Sequence, residues 1–134
     1  MAAFRSPRVA QALVAWNETR QTPLVERGRI ARSMWSRGKG LLGTHLLAQG
    51  DGLLIDPCQS IHSFGMQYLF DAIFLTRQGK VVHLISEMKP ARMSRHVFSS
   101  RSVLELPAGT IRASGTQHGD IVRWKLEPPR PTAV

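Results

Sequence analysis

Short apolar runs separated by turn residues dominate the chain, and this pattern predicts a mainly β protein. The runs are too short for ordinary helices and end at Gly, Pro, Asn or Asp, as strands do. They predict a compact single-domain β-sandwich or small barrel of short strands with one or two short helices. The predicted strands cover residues 9–16, 22–26 and 29–31 with a bulge at Gly28, 52–56, 61–66, 71–76, 81–85, 103–106 and 121–126.

Helical signals are few. Ser33 is a candidate N-cap for a short helix over residues 34–42, whose length is limited by three nearby glycines. A single helical turn is predicted at residues 111–114. The polar and basic segment 86–100 is predicted to be a long loop, and long loops in compact domains are often functional.

The composition fits an ordinary globular domain, with 43% hydrophobic and 20% charged residues in 134. We expect a single β domain over residues 1–126 and a proline-rich mobile tail over 127–134. No apolar run approaches the roughly 20 residues of a membrane span. One cysteine cannot form an internal disulfide, and the N-terminal apolar run has no signal-peptide cleavage pattern, so a cytoplasmic location is expected.

Positive charge lies on both flanks of the chain. The formal net charge is +9, yet no Lys or Arg occurs between Gly40 and Thr76. Net charge alone indicates non-specific association, so the flanks are either a soluble arginine-rich surface or a weak binder of anionic partners. No recognition motif or stacking pattern accompanies the charge, and no specific nucleic-acid partner is expected.

Two acids are candidate site residues. Asp71 begins a predicted strand that is apolar on both faces, so its carboxylate should be hydrogen-bonded or paired. It either accepts backbone amides and fixes the turn at 67–70, or lines a pocket as a ligand acceptor or general base. Glu105 alternates away from Leu104, and solvent exposure is the default for such a glutamate. The alternative is that Glu105 lines a cleft, within reach of Arg92 from the long loop.

Cys58 and His62 form a second candidate constellation. A Cys–His nucleophile pair requires a hydrogen bond between the two, and Asp71 could orient the histidine. Free cysteines are commonly buried hydrophobes, and the apolar neighbours of Cys58 disfavour a thiolate. A metal site would also need His45, and the spacing does not support one. We therefore expect no metal and no cofactor.

Five segments in one order resemble a known family. They are WSRGKGLLG (35–43), GLLIDPCQSIHSFGM (52–66), DAIFLTRQGKVV (71–82), VLELPAGT (103–110) and HGD (118–120). The chain resembles, over roughly residues 20–124, the family known as domain of unknown function 192. The resemblance implies a compact mainly β domain and brings no catalytic residues. The chain departs from the family pattern at Gln67, where relatives often have arginine, and at Leu69-Phe70, where they commonly have a proline.

The favoured interpretation is a non-enzymatic β module that binds a small polar ligand or a protein partner. Its predicted cleft lies near Met66, Asp71 and Glu105, with Arg92 as a further ligand contact. One alternative is a hydrolase-like enzyme that uses Cys58, His62 and Asp71. The other is weak binding of nucleic acid through the basic flanks. Oligomeric state is not indicated by the sequence.

Overall fold

The structure is a computed structural model and describes residues 11–32 and 47–128. Seven strands form one sheet in the order β5-β4-β6-β3-β2-β1-β7, and a short helix α1 lies between β6 and β7. The prediction of a mainly β protein is confirmed, and the sheet is not closed into a barrel. The elements are β1 (Ala12–Asn17), β2 (Thr22–Ala31), β3 (Leu53–Ile55), β4 (Phe70–Leu75), β5 (Val81–Met88), β6 (Ser102–Pro107), α1 (Thr110–Ser114) and β7 (Val122–Glu127).

The two outermost strands of the sheet approach each other at one end. Val81 donates its amide hydrogen to the carbonyl of Asp120 at 2.8 Å, and Val122 donates to the carbonyl of Gly79 at 2.8 Å. These bonds join the β4–β5 turn to the start of β7. They reduce the unpaired edge that an open sheet exposes, and exposed edges favour aggregation.

The predicted bulge at Gly28 is confirmed. Leu13 pairs with Gly28 while Ala15 pairs with Val25, so β2 carries an extra residue opposite β1. A Cβ at position 28 would lie 2.6 Å from the Val25 side chain and 2.9 Å from the carbonyl oxygen of Gly52. Close packing of β2 against the start of β3 therefore requires glycine here.

The sheet has two apolar faces because successive side chains of a strand point to opposite sides. The α1 face packs against the helix, and the loop face packs against the connecting loops. Residues of the α1 face include Leu54, Ile73, Leu104, Leu106 and the helical Ile111. Residues of the loop face include Leu53, Phe70, Ala72, Phe74 and Val103, with Ile61, Met66 and Val97 from the loops.

Several predicted boundaries differ from those observed. The strand predicted at 61–66 does not form; only a single bridge joins His62 to Met93, and the backbone there bonds to the facing loop. β5 extends to Met88, so the predicted loop begins later. β7 ends at Glu127, one residue into the predicted tail. The helix predicted at 34–42 lies outside the described residues, as do positions 129–134. No helix in the described ranges is long and apolar enough to cross a membrane.

Candidate functional site

Asp71 is fully buried on the α1 face, where it accepts two backbone hydrogen bonds. Its Oδ1 accepts from the amide of Glu87 and its Oδ2 from the amide of Ile111, both at 2.8 Å. The helix follows Gly109 and has no side-chain cap of its own. Asp71 therefore satisfies one of the amides that the first turn of a helix leaves unpaired. Of its two predicted roles, Asp71 thus has the one of accepting backbone amides. These amides anchor β5 and α1, however, and not the turn at 67–70.

Glu105 is buried at the centre of the loop face. It pairs with Ala72 of β4 on one side and with Leu53 of β3 on the other, so its side chain lies among the apolar residues of that face. Only 3% of Glu105 is exposed. The expectation that Glu105 faces solvent is wrong, because strands flank β6 on both sides and loops cover the face.

The carboxyl group of Glu105 is electrostatically unusual. Burial raises its pKa to about 8, against a smaller lowering effect of the Arg29 charge. Within the described residues its Oε2 has no hydrogen-bond partner. A carboxyl with this pKa is mostly protonated at neutral pH, and a buried oxygen without a partner is costly. Glu105 is thus a neutral polar group held in an apolar setting.

Two loops, 57–69 and 89–101, cover the loop face and are tied together; we call them the loop pair. Ser94 donates its amide to the carbonyl of Ile61 at 2.8 Å, and Val97 donates to that of Gln59 at 2.8 Å. Ser63 adds side-chain bonds, donating to the carbonyl of Lys89 and accepting the amide of Arg92 at 2.9 Å. The loop pair is therefore held as one layer over the apolar residues of the loop face.

The structure does not bring the predicted nucleophile pair together with an orienting acid. Cys58 is partly buried against the loop face, and its thiol contacts the carbonyl of Ser60 at 3.1 Å. The Nδ1 atom of His62 accepts from the amide of Phe64 at 3.3 Å, and the two rings stack. Both oxygens of Asp71 are occupied on the opposite face of the sheet. Asp71 thus lies on the other side of the sheet from the predicted nucleophile pair and does not orient His62.

The structure does not bring the four predicted ligand-binding residues together in one place. Met66 is buried in the loop face, the same side of the sheet as Glu105. Asp71 points to the other side. Arg92 is exposed on the loop pair, where its guanidinium contacts the carbonyl of Ala91, and it forms no ion pair with Asp71 or Glu105.

A buried polar network around Asp120 was not singled out by sequence reasoning. Its Oδ2 accepts from Arg20 Nε at 2.7 Å, Gln117 N at 2.9 Å and Asn17 Nδ2 at 3.0 Å. Burial alone would raise the pKa of Asp120, but hydrogen bonds from Arg20, Gln117 and Asn17 together with the Arg20 charge lower it. The signal was present in the HGD segment, which the sequence analysis used only as part of the family resemblance.

Two surface cavities of the described chain lie away from Asp71, Glu105 and Asp120. One of about 800 Å³ lies between the start of β2 and α1. Another of about 340 Å³ is lined by Asp56, Arg77, Arg101 and Trp124 among others. No group of three His, Cys, Asp or Glu residues in the described ranges is arranged to hold a metal ion.

Comparison with known proteins shows the family and the fold. Similar solved structures include a protein of unknown function from Novosphingobium aromaticivorans, with 20% identity over 87% of this chain and 85% of that one and a TM-score of 0.72. Another is a putative transcription regulator from Sinorhizobium meliloti, with 22% identity over 90% and 98% and a TM-score of 0.72. Comparison with curated proteins gave no match. A family model described as Uncharacterized ACR matches residues 15–124, and the chain belongs to this family, DUF192.

Proposed function

We propose that the protein is a non-enzymatic β module that binds a small polar ligand on the loop face. Glu105 is the polar anchor of this site and Met66 an apolar contact beside it. Arg92 lies on the covering loops, at the edge of the site. Asp71 supports the scaffold from the opposite face and does not touch the ligand. This revises the cleft expected near Met66, Asp71 and Glu105 by removing Asp71 from it.

The observation that carries the proposal is the unpartnered Oε2 atom of Glu105. A glutamate is rarely fully buried unless it is paired, and isosteric apolar residues would pack this face at lower cost. Asp71 and Asp120, the other buried acids, each accept at least two hydrogen bonds. A ligand that forms a hydrogen bond with Oε2 would remove the deficit at Glu105.

The expected ligand is neutral and carries a group that can both donate and accept hydrogen bonds, as an amide or a sugar hydroxyl does, because a protonated carboxyl offers one O–H donor and one carbonyl acceptor. The raised pKa keeps Glu105 protonated at neutral pH, so the site presents no negative charge to attract a cation. Binding of a neutral ligand that accepts the proton of Glu105 should therefore weaken as pH rises through 8, because ionisation removes that O–H donor. A cationic ligand would show the opposite pH dependence.

The other two functions have less support. A Cys58–His62–Asp71 hydrolase would need Asp71 to leave its two amide partners on the opposite face of the sheet. Nucleic-acid binding rests on the +9 net charge, and the regulator-like description belongs to a protein only 22% identical. We expect such binding to be weak and salt-sensitive. A single cysteine is compatible with the reducing cytoplasm, where we place the protein.

The test is ligand-detected NMR with acetamide, glucose and N-acetylglucosamine as probes. Glu105→Leu removes the carboxyl with little change in volume, and Glu87→Gln, at an exposed position, is the matched control. We expect a probe that binds the wild type to lose at least about tenfold in affinity in Glu105→Leu, the value of one hydrogen bond to a buried group. The control should bind as the wild type does.

Two outcomes would contradict the proposal. One is binding that is equal in wild type and Glu105→Leu, which would place the ligand away from Glu105. The other is a panel in which no probe binds the wild type below pH 8. Because Glu105→Leu removes a desolvated carboxyl, it should melt no lower than the wild type, and lost binding would not reflect unfolding.

A further inference from the structure

The exposed large apolar side chains of the described residues are concentrated in one place. All four of them lie on the loop pair: Phe64, Leu69, Met93 and Phe98. Phe98 is 83% exposed and Met93 is 70% exposed, although each flanks a segment that is hydrogen-bonded to the facing loop. Single exposed apolar residues are common, but a cluster confined to one surface marks an interaction site.

The two loops themselves contain no acid and are rich in bases, and the neighbouring Asp56 is paired with Arg101. No Asp or Glu occurs in residues 57–70 or 88–104 of the loop pair and its immediate flanks. Lys89, Arg92 and Arg95 are exposed there, and none of the three is in an ion pair with a described acid. We call this surface the apolar–basic patch; its members are Phe64, Leu69, Lys89, Arg92, Met93, Arg95 and Phe98.

We infer that the apolar–basic patch docks the protein on an anionic lipid surface. Lipid binding at an interface combines apolar side chains that enter the headgroup region with Lys or Arg that attract anionic headgroups. Basic and apolar side chains alternate along Arg92, Met93, Arg95 and Phe98, so this segment presents both kinds to the same interface. The protein would lie on the surface and not span it.

Shape favours lipid over a protein partner. Met93 and Phe98 protrude, and a protein partner would need a matching pocket for each, whereas lipid headgroups rearrange around a protruding side chain. A second copy of this chain is disfavoured because two such patches would bring like charges together. An acidic protein remains the competing occupant that the experiment must separate.

The backbone of the loop pair is suited to this environment. A segment that enters a lipid interface must satisfy its own amides and carbonyls, because water becomes scarce there. The amide of Ser94 bonds to Ile61, that of Val97 to Gln59 and that of Ser100 to Val97, while the side chain of Gln59 bonds to the carbonyl of Phe98 at 2.8 Å. The side chains can therefore enter the interface while the backbone stays paired.

The experiment is co-sedimentation of the full chain with vesicles of phosphatidylcholine and phosphatidylglycerol, compared with phosphatidylcholine alone. We expect binding to the anionic vesicles and its decline as salt rises. Arg92→Gln with Arg95→Gln should weaken binding about 20- to 30-fold, from about fivefold for each basic residue near an anionic surface. Met93→Ser with Phe98→Ser should weaken it by about tenfold or more, while Phe98→Leu retains it.

The matched control is Arg77→Gln with Lys80→Gln, which removes the same charge from exposed positions outside the patch. This control should bind like the wild type. Hydrogen exchange of the wild-type chain should also show slower exchange at 91–100 when anionic vesicles are present, a readout that needs no variant. Glu105 is unchanged in every variant and vesicle binding is measured without a small ligand, so failure of one proposal does not decide the other, although Arg92 also lies at the edge of the proposed ligand site.

Three results would overturn the inference. The first is no binding to anionic vesicles at low salt. The second is equal loss of binding in the control and the patch arginine variants, which would reduce the effect to net charge. The third is an acidic protein that binds through Met93 and Phe98 while vesicles do not, which would make a protein the partner of this surface.

Discussion

Asp71 and Glu105 lie on adjacent strands one residue out of register, and their side chains point to opposite faces of the sheet. Asp71 is opposite Leu106, whereas Glu105 is opposite Ala72. Directly paired residues share a face, so the two acids are separated by the thickness of the sheet. Asp71 accepts hydrogen bonds from two amides, whereas Glu105 has one oxygen without a hydrogen-bond partner. The two acids therefore require different tests.

Replacing Asp71 should strongly destabilise the fold. Asp71→Ala leaves the part-buried amide of Glu87 and the buried amide of Ile111 without acceptors, and we expect a loss of about 2–6 kcal/mol in the free energy of unfolding. Asp71→Asn should cost less than Asp71→Ala, because its amide oxygen still accepts one of the two hydrogen bonds while its NH2 group faces the other amide donor. Denaturant midpoints measure both. Arg92→Ala, at an exposed position, is the control and should unfold with the wild type; an Asp71→Ala midpoint equal to wild type would contradict this role.

Glu105 should make the wild type less stable as pH rises. Its folded pKa of about 8 lies above the unfolded value of 4.5, so the folded state binds more protons between these limits and stability falls across that range. The expected loss from pH 5 to 8 is about 3–5 kcal/mol. Glu105→Gln should abolish this slope. The measurement is urea unfolding of both proteins at several pH values.

His83 contributes a slope of opposite sign in the same pH range. Burial, Arg95 and His118 lower its pKa, so its contribution to stability rises with pH. His83 is present in both proteins, and the difference between wild type and Glu105→Gln isolates Glu105. If the difference between the two stabilities does not change with pH, the carboxyl of Glu105 titrates normally.

Sequence patterns predicted the strands well because local alternation and turn residues determine them. Gly28 is an example, since a glycine inside an apolar run indicates a bulge and one is present. The environment of Glu105 was not predictable in the same way. Alternation placed it correctly on the side opposite Leu104, but whether that side is covered depends on loops distant in sequence, which bring Met66 and Val97 onto the face.

The hydrogen-bond partners of buried polar groups could not be predicted from the sequence either. Burial of Asp71 followed from its apolar strand, but its two amide donors lie 16 and 40 residues away, and no local pattern encodes such distances. The segment at 61–66 was predicted as a strand because it is largely apolar. It instead bonds to the facing loop, because Ser63 binds the backbone of that loop.

Alanine substitutions at Gly79 and Gly119 distinguish the cost of backbone strain from the cost of a steric clash. Both have positive φ angles, of 88° and 89°, which favour glycine. A Cβ at Gly119 meets nothing within 4 Å, whereas a Cβ at Gly79 would collide with the carbonyl oxygen of Val122. Gly119→Ala should cost about 1–2 kcal/mol from strain alone. Gly79→Ala should cost clearly more in thermal unfolding, and equal costs would show that the contact between the hairpin turn and β7 is loose.

Asp120 should stabilise the protein through its hydrogen bonds, and the effect should disappear in acid. Its folded pKa is below the unfolded value, so its contribution is present above the unfolded pKa near 4 and is lost as pH falls through the folded pKa. Asp120→Asn keeps an acceptor for Asn17 and Gln117 but removes the charge that pairs with Arg20. We expect Asp120→Asn to lose about 1–3 kcal/mol in the free energy of unfolding at neutral pH.

The matched control for Asp120 is Asp56→Asn, which breaks the 2.8 Å pair with Arg101. That arginine is 45% exposed, so the pair should be worth less than about 1 kcal/mol. Denaturant unfolding at neutral pH and again well below pH 4 distinguishes the two. Asp120→Asn should differ from wild type at neutral pH and approach it in acid, because protonated aspartic acid has also lost the charge. If the two proteins differ by the same amount at both pH values, the charge of Asp120 adds nothing to its hydrogen bonds.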